Sequence, residues 1–201
     1  MSQRPLMVVV GGAGKIGAAT IEAAQSRGFD TLSIDLRPST AAKTFRIADI
    51  CDEAAIATAF SSIDRPIDAL VCVAVQSTQR SLQDTTWTEW AQMMAVNVRG
   101  PMLCLKHAAP RLRPATGSIT LLSAAAAQEG PVAFQTSMGG VLGLMRATSG
   151  EFSRPSIRVN AVCPEWNDNA PKAAPSAIAE AILFLSSSDA TFITGAEIKI
   201  T

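Results

Sequence analysis

The sequence predicts the α/β class: a doubly wound parallel sheet of about seven strands flanked by helices. Two observations carry this expectation. Apolar runs of strand length alternate with helix-length segments along the whole chain, and the first run leads directly into a glycine-rich turn, Gly12-Ala13-Gly14-Lys15-Ile16-Gly17. Strands of a parallel sheet are buried on both faces and read as continuous apolar runs. Regular strand–helix alternation implies right-handed crossovers with helices on both sides of one sheet.

The elements follow in order. Leu6–Val10 reads as a buried strand, Ile16–Arg27 as a helix, Thr31–Leu36 as a second strand and Phe45–Ala48 as a short third. A helix is expected over Asp52–Ser61, with Asp52 and Glu53 favouring its N-terminus. Ala69–Val75 follows the breaker Arg65-Pro66 as a strand, and Thr88–Ala108 reads as one long helix ending near Pro110. Ile119–Leu122 is a strand, Val132–Phe152 a helix with a Gly139-Gly140 pair suited to close packing, and Ile157–Val162 a strand. Ser176–Ser186 is a helix, Glu197–Ile200 a closing strand, and Ala170–Pro175 a loop. At 201 residues and 48% hydrophobic content, residues 1–201 fit a single domain with a full core.

The glycine turn matches GxGxxG between a strand and a helix. Such a turn needs glycine to bend tightly, to let a pyrophosphate approach the backbone and to pack helix on strand. The phosphate meets the N–H groups at the helix start, which places Gly11, Gly14, Lys15, Ile16 and Gly17 among the expected cofactor contacts. Asp35 ends the second strand 18 residues after Gly17, where a carboxylate can accept from both ribose hydroxyls. The fold so implied is a Rossmann fold. The charge of Asp35 points to NAD, while Arg37 leaves NADP open.

Composition narrows the function classes. The 17 Lys and Arg balance the 17 Asp and Glu, so nothing suggests nucleic acid or an acidic membrane surface. Cys51, Cys72, Cys104 and Cys163 form no CxxC pair, and a single His argues against a metal site. The start Met1-Ser2-Gln3-Arg4-Pro5 leads into an apolar run too short for a signal peptide, and no stretch is long enough to span a bilayer. A cytoplasmic protein with a small-molecule site is expected.

Over nearly its whole length the chain resembles the short-chain dehydrogenase/reductase family. Gly11, Gly14 and Gly17 follow the family's glycine spacing, with Val10 where Thr is usual. Ala48-Asp49-Ile50 resembles its adenine-contacting segment, and Val96-Asn97-Val98-Arg99-Gly100 resembles the long-helix segment whose Asn bends the helix and holds a water. Arg158 to Pro164 resembles the sixth strand and the turn beside the nicotinamide, and Ile178–Gly195 the C-terminal helix and loop. The resemblance implies NAD(P) binding with Asp49, Ile50, Ala74 and Pro164 as further contacts. It also implies pairing through the two long helices into a homodimer or homotetramer.

The departures from that family fall at the reacting end. Its Asn-Asn-Ala-Gly turn is Cys72-Val73-Ala74-Val75 here, its catalytic Ser falls on Ala124 beside Ser123, and its Tyr-x-x-x-Lys falls on Phe134 and Met138. The chain contains no Tyr at all, so no shift of alignment restores the motif. The substrate-covering segment near 165–177 is also much reduced. Asn97 and Ser123 remain as candidate catalytic residues, with His107, Glu129, Glu165 and Cys163 as alternative proton carriers or nucleophiles. Trp166 is expected either to stack over the cofactor or to plug the gap left by the missing segment. Three functions stay open: a divergent oxidoreductase with a non-standard or impaired site, a catalytically silent dinucleotide-binding or partner subunit, and a non-redox enzyme on the same fold.

Overall fold

The structure, a computed structural model, describes residues 3–125, 131–154, 156–167 and 170–201. In chain order the elements are β1 (Leu6–Val10), α1 (Lys15–Ser26), β2 (Asp30–Asp35), β3 (Thr44–Ile47), α2 (Glu53–Ser61) and β4 (Ala69–Cys72). They continue with α3 (Trp87–Met94), α4 (Gly100–Ala108), β5 (Ser118–Leu122), α5 (Val132–Glu151) and β6 (Arg158–Pro164). The chain closes with β7 (Trp166–Asn167), β8 (Ala170–Pro171), α6 (Pro175–Ser186) and β9 (Glu197–Ile200). Seven strands form one sheet in the order β3-β2-β1-β4-β5-β6-β9, every pair parallel. The order reverses at β1, so the crevice beside its C-terminal end is where a doubly wound sheet takes its ligand.

Burial on both faces explains the continuous apolar strands. Alternate residues of β1 enter different cores: Leu6, Val8 and Val10 pack on the side of α2, α4 and α5, and Met7 and Val9 on the side of α1 and α6. One residue of slip would exchange the two sets, so the pattern fixes the register that sets Val8 between Leu32 and Leu70.

The expected long helix over 88–108 is interrupted. Thr86 caps α3 in a reciprocal capping box with Glu89, and the segment Ala95–Arg99 winds as a π-turn before α4 resumes. Gly100 lets α4 settle on Ile50, whose side chain an added Cβ at Gly100 would strike at 2.6 Å. Gly140 likewise permits contact between α5 and Val98, whereas Gly139 and Gly143 face open space. β4 is shorter than its apolar pattern suggests: Val73 N and Ala74 N both donate to Val10 O, which ends the ladder after Cys72. The segment after β6 contains a two-stranded antiparallel ribbon, β7 with β8, where a loop was expected.

Among the described residues, no helix is long and apolar enough to cross a membrane. No group of three or more His, Cys, Asp or Glu there could hold a metal ion.

Candidate functional site

A groove of about 570 Å³ runs over the C-terminal ends of β1, β2 and β4. Its first wall is the glycine turn, where Gly11, Gly14, Lys15, Ile16 and Gly17 all line the space. Gly11 has φ +90°, and a Cβ there would lie 2.5 Å from Ala74 N. A Cβ at Gly17 would overlap the Gly11 carbonyl oxygen. Those two glycines are demanded by the protein's own packing. Gly14 is different: an added Cβ would meet only Gly11 O, at 3.4 Å. The protein leaves that position bare against the groove.

α1 begins at this turn without a side-chain cap and without an acidic residue in its first turn. Its first N–H groups and the positive end of its dipole therefore remain free to meet an anion. The second wall holds Asp35, Arg37, Asp49 and Ile50. The half-buried Asp35 carboxylate accepts from Ala13 N at 3.0 Å and from Arg37 N at 3.2 Å, which ties the turn to the end of β2. Asp49 accepts from Cys51 N at 2.8 Å and starts the turn into α2. Ala74 forms part of the floor. Pro164 does not line the groove: it ends β6 buried, and its carbonyl accepts from Ala125 N at 3.0 Å.

At the far end the described residues that line the groove are uncharged. They are Val75, Gln76, Ser77, Gln92 and Trp166. Trp166 packs edge-on against Phe134, ring centroids 4.9 Å apart, and also forms part of the groove wall. It thus touches Phe134 and faces the groove at once. Its buried Nε1 has no hydrogen-bond partner among the described residues. Gln76, Ser77 and Gln92 were not anticipated from the sequence.

The positions expected to carry chemistry are apolar and closed. Ala124, Phe134 and Met138 are 3%, 2% and 2% exposed. Ser123 is fully buried, and its hydroxyl donates to Met138 O at 3.0 Å, so it is not presented to the groove. Asn97 is 1% exposed and sits in the π-turn behind the groove. Its Oδ1 accepts from Gln76 N and its Nδ2 donates to Gln76 O, both at 2.8 Å. Nδ2 also donates to Ser137 Oγ at 2.8 Å. Asn97 thereby pins the loop after β4 through both backbone groups of one residue, Gln76.

None of the alternative groups within the described residues reaches the groove. His107 lies 3.2 Å from Glu53 on the flank of α4. Glu165 forms an exposed ion pair with Lys172 at 2.8 Å. Cys163 is buried, and that burial pushes its thiol up to about 11, with Glu197 adding to the effect. Glu129 lies outside the described residues.

Residues 13–173 match the family model described as enoyl-(acyl carrier protein) reductase. The chain belongs to the short-chain dehydrogenase/reductase family. Within that family it is 33% identical to inactive 2-(S)-hydroxypropyl-CoM dehydrogenase 2 of Xanthobacter autotrophicus, over 74% of this chain and 79% of the relative. It is 30% identical to the short-chain dehydrogenase/reductase olcF of Penicillium canescens, over 79% of this chain and 67% of the relative. A short-chain dehydrogenase family protein from Francisella tularensis shares the fold with a TM-score of 0.90 at 22% identity, over 98% of this chain and 97% of that one.

Proposed function

We propose that this chain binds NAD(H) and that its reacting end no longer performs the proton-coupled carbonyl–alcohol interconversion of its family. The observation that carries the reading is the union of an uncapped, glycine-lined groove with closed apolar side chains at 124, 134 and 138. The N–H groups at Gly14 to Gly17 would hold the pyrophosphate, Asp35 the adenosine ribose, and Asp49 and Ile50 the adenine edge. Arg37 beside Asp35 leaves NADP(H) as the weaker alternative. The bound nicotinamide would supply or accept hydride.

The chain's own residues restrict the chemistry at that end of the groove. Phe134 has no proton to deliver, Met138 has no charge to steady a ribose, and the Ser123 hydroxyl already donates to Met138 O. General acid–base assistance is worth roughly 10²–10⁴ in rate, so its loss leaves little of the family reaction. That one relative is named an inactive dehydrogenase supports the same reading. The ribbon β7–β8 stands in this reading as the reduced substrate lobe near 165–177. A second reading is favoured by the extension of the groove past Ala74 to Gln76, Ser77 and Gln92. It keeps hydride transfer, but to a substrate that takes no proton from the protein.

The open faces of Gly139 and Gly143 support pairing of α5 with a second copy, as a homodimer or homotetramer. Four free thiols suit a cytoplasmic protein. The decisive experiment is a titration with NADH and NADPH followed by turnover assays on a carbonyl and alcohol panel. Saturable NADH binding without turnover is expected. Turnover at rates ordinary for a dehydrogenase, or no binding of either nucleotide, would overturn the proposal.

A further inference from the structure

A cavity of about 440 Å³ lies at the opposite pole of the sheet from the groove. β1 and β2 run from one to the other: Leu6 and Asp30 line the cavity, Val10 and Ile34 the groove. Along β2 the two spaces come nearest, Leu32 lining the cavity and Ile34 the groove, two residues or roughly 7 Å apart at about 3.3 Å per residue. The cavity is built independently of the dinucleotide reading.

Its floor is apolar, with Leu6, Leu32 and Ile63 buried. Four cations from three stretches of chain surround it: Arg4 before β1, Lys43 and Arg46 just before and within β3, and Arg65 before β4. Among the described residues two carboxylates, Asp30 and Asp64, share the wall. In a chain with no net charge, this local excess is a property of the site.

The pairing inside the cavity leaves most of that charge unmatched. Of the four, Arg65 alone has a carboxylate partner among the described residues, Asp30 at 2.7 Å, and its Nη2 also donates to the Arg4 carbonyl. The Arg65 Nε is buried and has no partner among the described residues. Arg46 is held by neutral acceptors, Ser62 Oγ and the Phe45 carbonyl, each at 3.0 Å. Arg4 and Lys43 make no ion pair among the described residues. Cations gathered around a low-dielectric floor repel one another, and an anion among them relieves that repulsion.

We propose that this cavity binds a phosphate monoester carried on a small apolar body. Such a group has a charge of about −1.5 to −2 at neutral pH, which matches four cations less two carboxylates. Guanidinium forks fit phosphate oxygens in pairs, and the apolar floor receives the body. The volume falls in the usual range of small-molecule sites, about 300–1,000 Å³.

The test is an amide-resolved NMR titration of the ¹⁵N-labelled chain with phenyl phosphate, inorganic phosphate and benzyl alcohol. Phenyl phosphate should give saturable shifts at Leu6, Thr31, Thr44 and Arg46, bind more tightly than inorganic phosphate, and weaken as salt rises. Benzyl alcohol should give none at the same concentrations. Lys43→Glu, an exposed change that leaves the fold intact, should weaken binding several-fold, and Lys43→Glu with Arg46→Glu at least tenfold. The proposal is overturned by shifts confined to Gly14–Gly17, by no saturation, or by affinity unchanged on charge reversal in variants with the native amide spectrum.

Discussion

Gly14→Ala adds one methyl group at the N-cap of α1, where φ is −79° and ψ 166°. That conformation is open to alanine, and the new Cβ touches only Gly11 O at 3.4 Å. Two small effects on stability oppose each other. The unfolded chain loses freedom, worth about 0.4–1 kcal/mol, while alanine is a poorer N-cap than glycine by a comparable amount. The melting temperature should stay within about 3 °C of the parent. Ligand binding should not survive so well, because the methyl group occupies the approach to the first N–H groups of α1. Loss of one charge-assisted hydrogen bond costs about 1.5–3 kcal/mol, or roughly 10- to 150-fold in affinity. Gly17→Ala is the contrasting variant: its Cβ overlaps the Gly11 carbonyl, so it should lose stability as well as binding. Thermal unfolding and NADH fluorescence titration read the two effects separately. A folded Gly14→Ala variant that binds NADH as the parent does would refute the placement of a pyrophosphate at this turn.

Other perturbations test the remaining parts of the site. Asn97→Ala should cost about 1–3 kcal/mol in chemical denaturation, because Gln76 loses both backbone partners and Ser137 loses a donor. Met138→Lys places an ammonium at a position 2% exposed, which should destabilise by about 3–5 kcal/mol and depress the new lysine's pKa. A depressed lysine pKa penalises the fold below the unfolded value of about 10.4, so stability measured by denaturation should recover as pH rises toward that value. In native protein at pH 8 a thiol reagent should modify Cys51 alone, since the other three thiols are buried, and all four after unfolding. The Cys163 thiol, raised to about 11, should contribute stability that is complete below the ordinary thiol pKa and lost as pH climbs toward 11.

Where one physical pattern determined one structure, the sequence was readable. β1 has the bounds its apolar run suggested, and β9 those expected of the closing strand. The groove gathers Gly11, Gly14, Gly17 and Asp35 as the strand–turn–helix spacing implied, and Asp49 and Ala74 as the family resemblance implied. Where two structures share one pattern, it was not. Val73 and Val75 continue the apolar run of β4 but form the groove's floor, and periodicity cannot separate a strand from an apolar wall. Residues 95–99 hold no Gly or Pro to mark the π-turn, and only the family resemblance, through Asn97, pointed to a bend there. The start of α3 could have been placed better, since Thr86 and Glu89 have the spacing of a capping box. Ser123 shows a different limit: type and position suggested a substrate contact, but orientation gave its proton to Met138 O.

The π-turn at Ala95–Arg99 sets the angular phase of everything after it. It carries one residue more than an α-helical path between α3 and α4 would need, and each residue turns an α-helix by about 100°. Deleting a single residue from 95–99 would therefore let the ladder close as ordinary helix while rotating one half against the other. Gly100 would turn off Ile50, or Asn97 off Gln76, although no side-chain chemistry had been changed. The wall at Ile50 and the far end at Gln76 are thus kept in step by an extra residue in one helix, and a length change there would release one or the other.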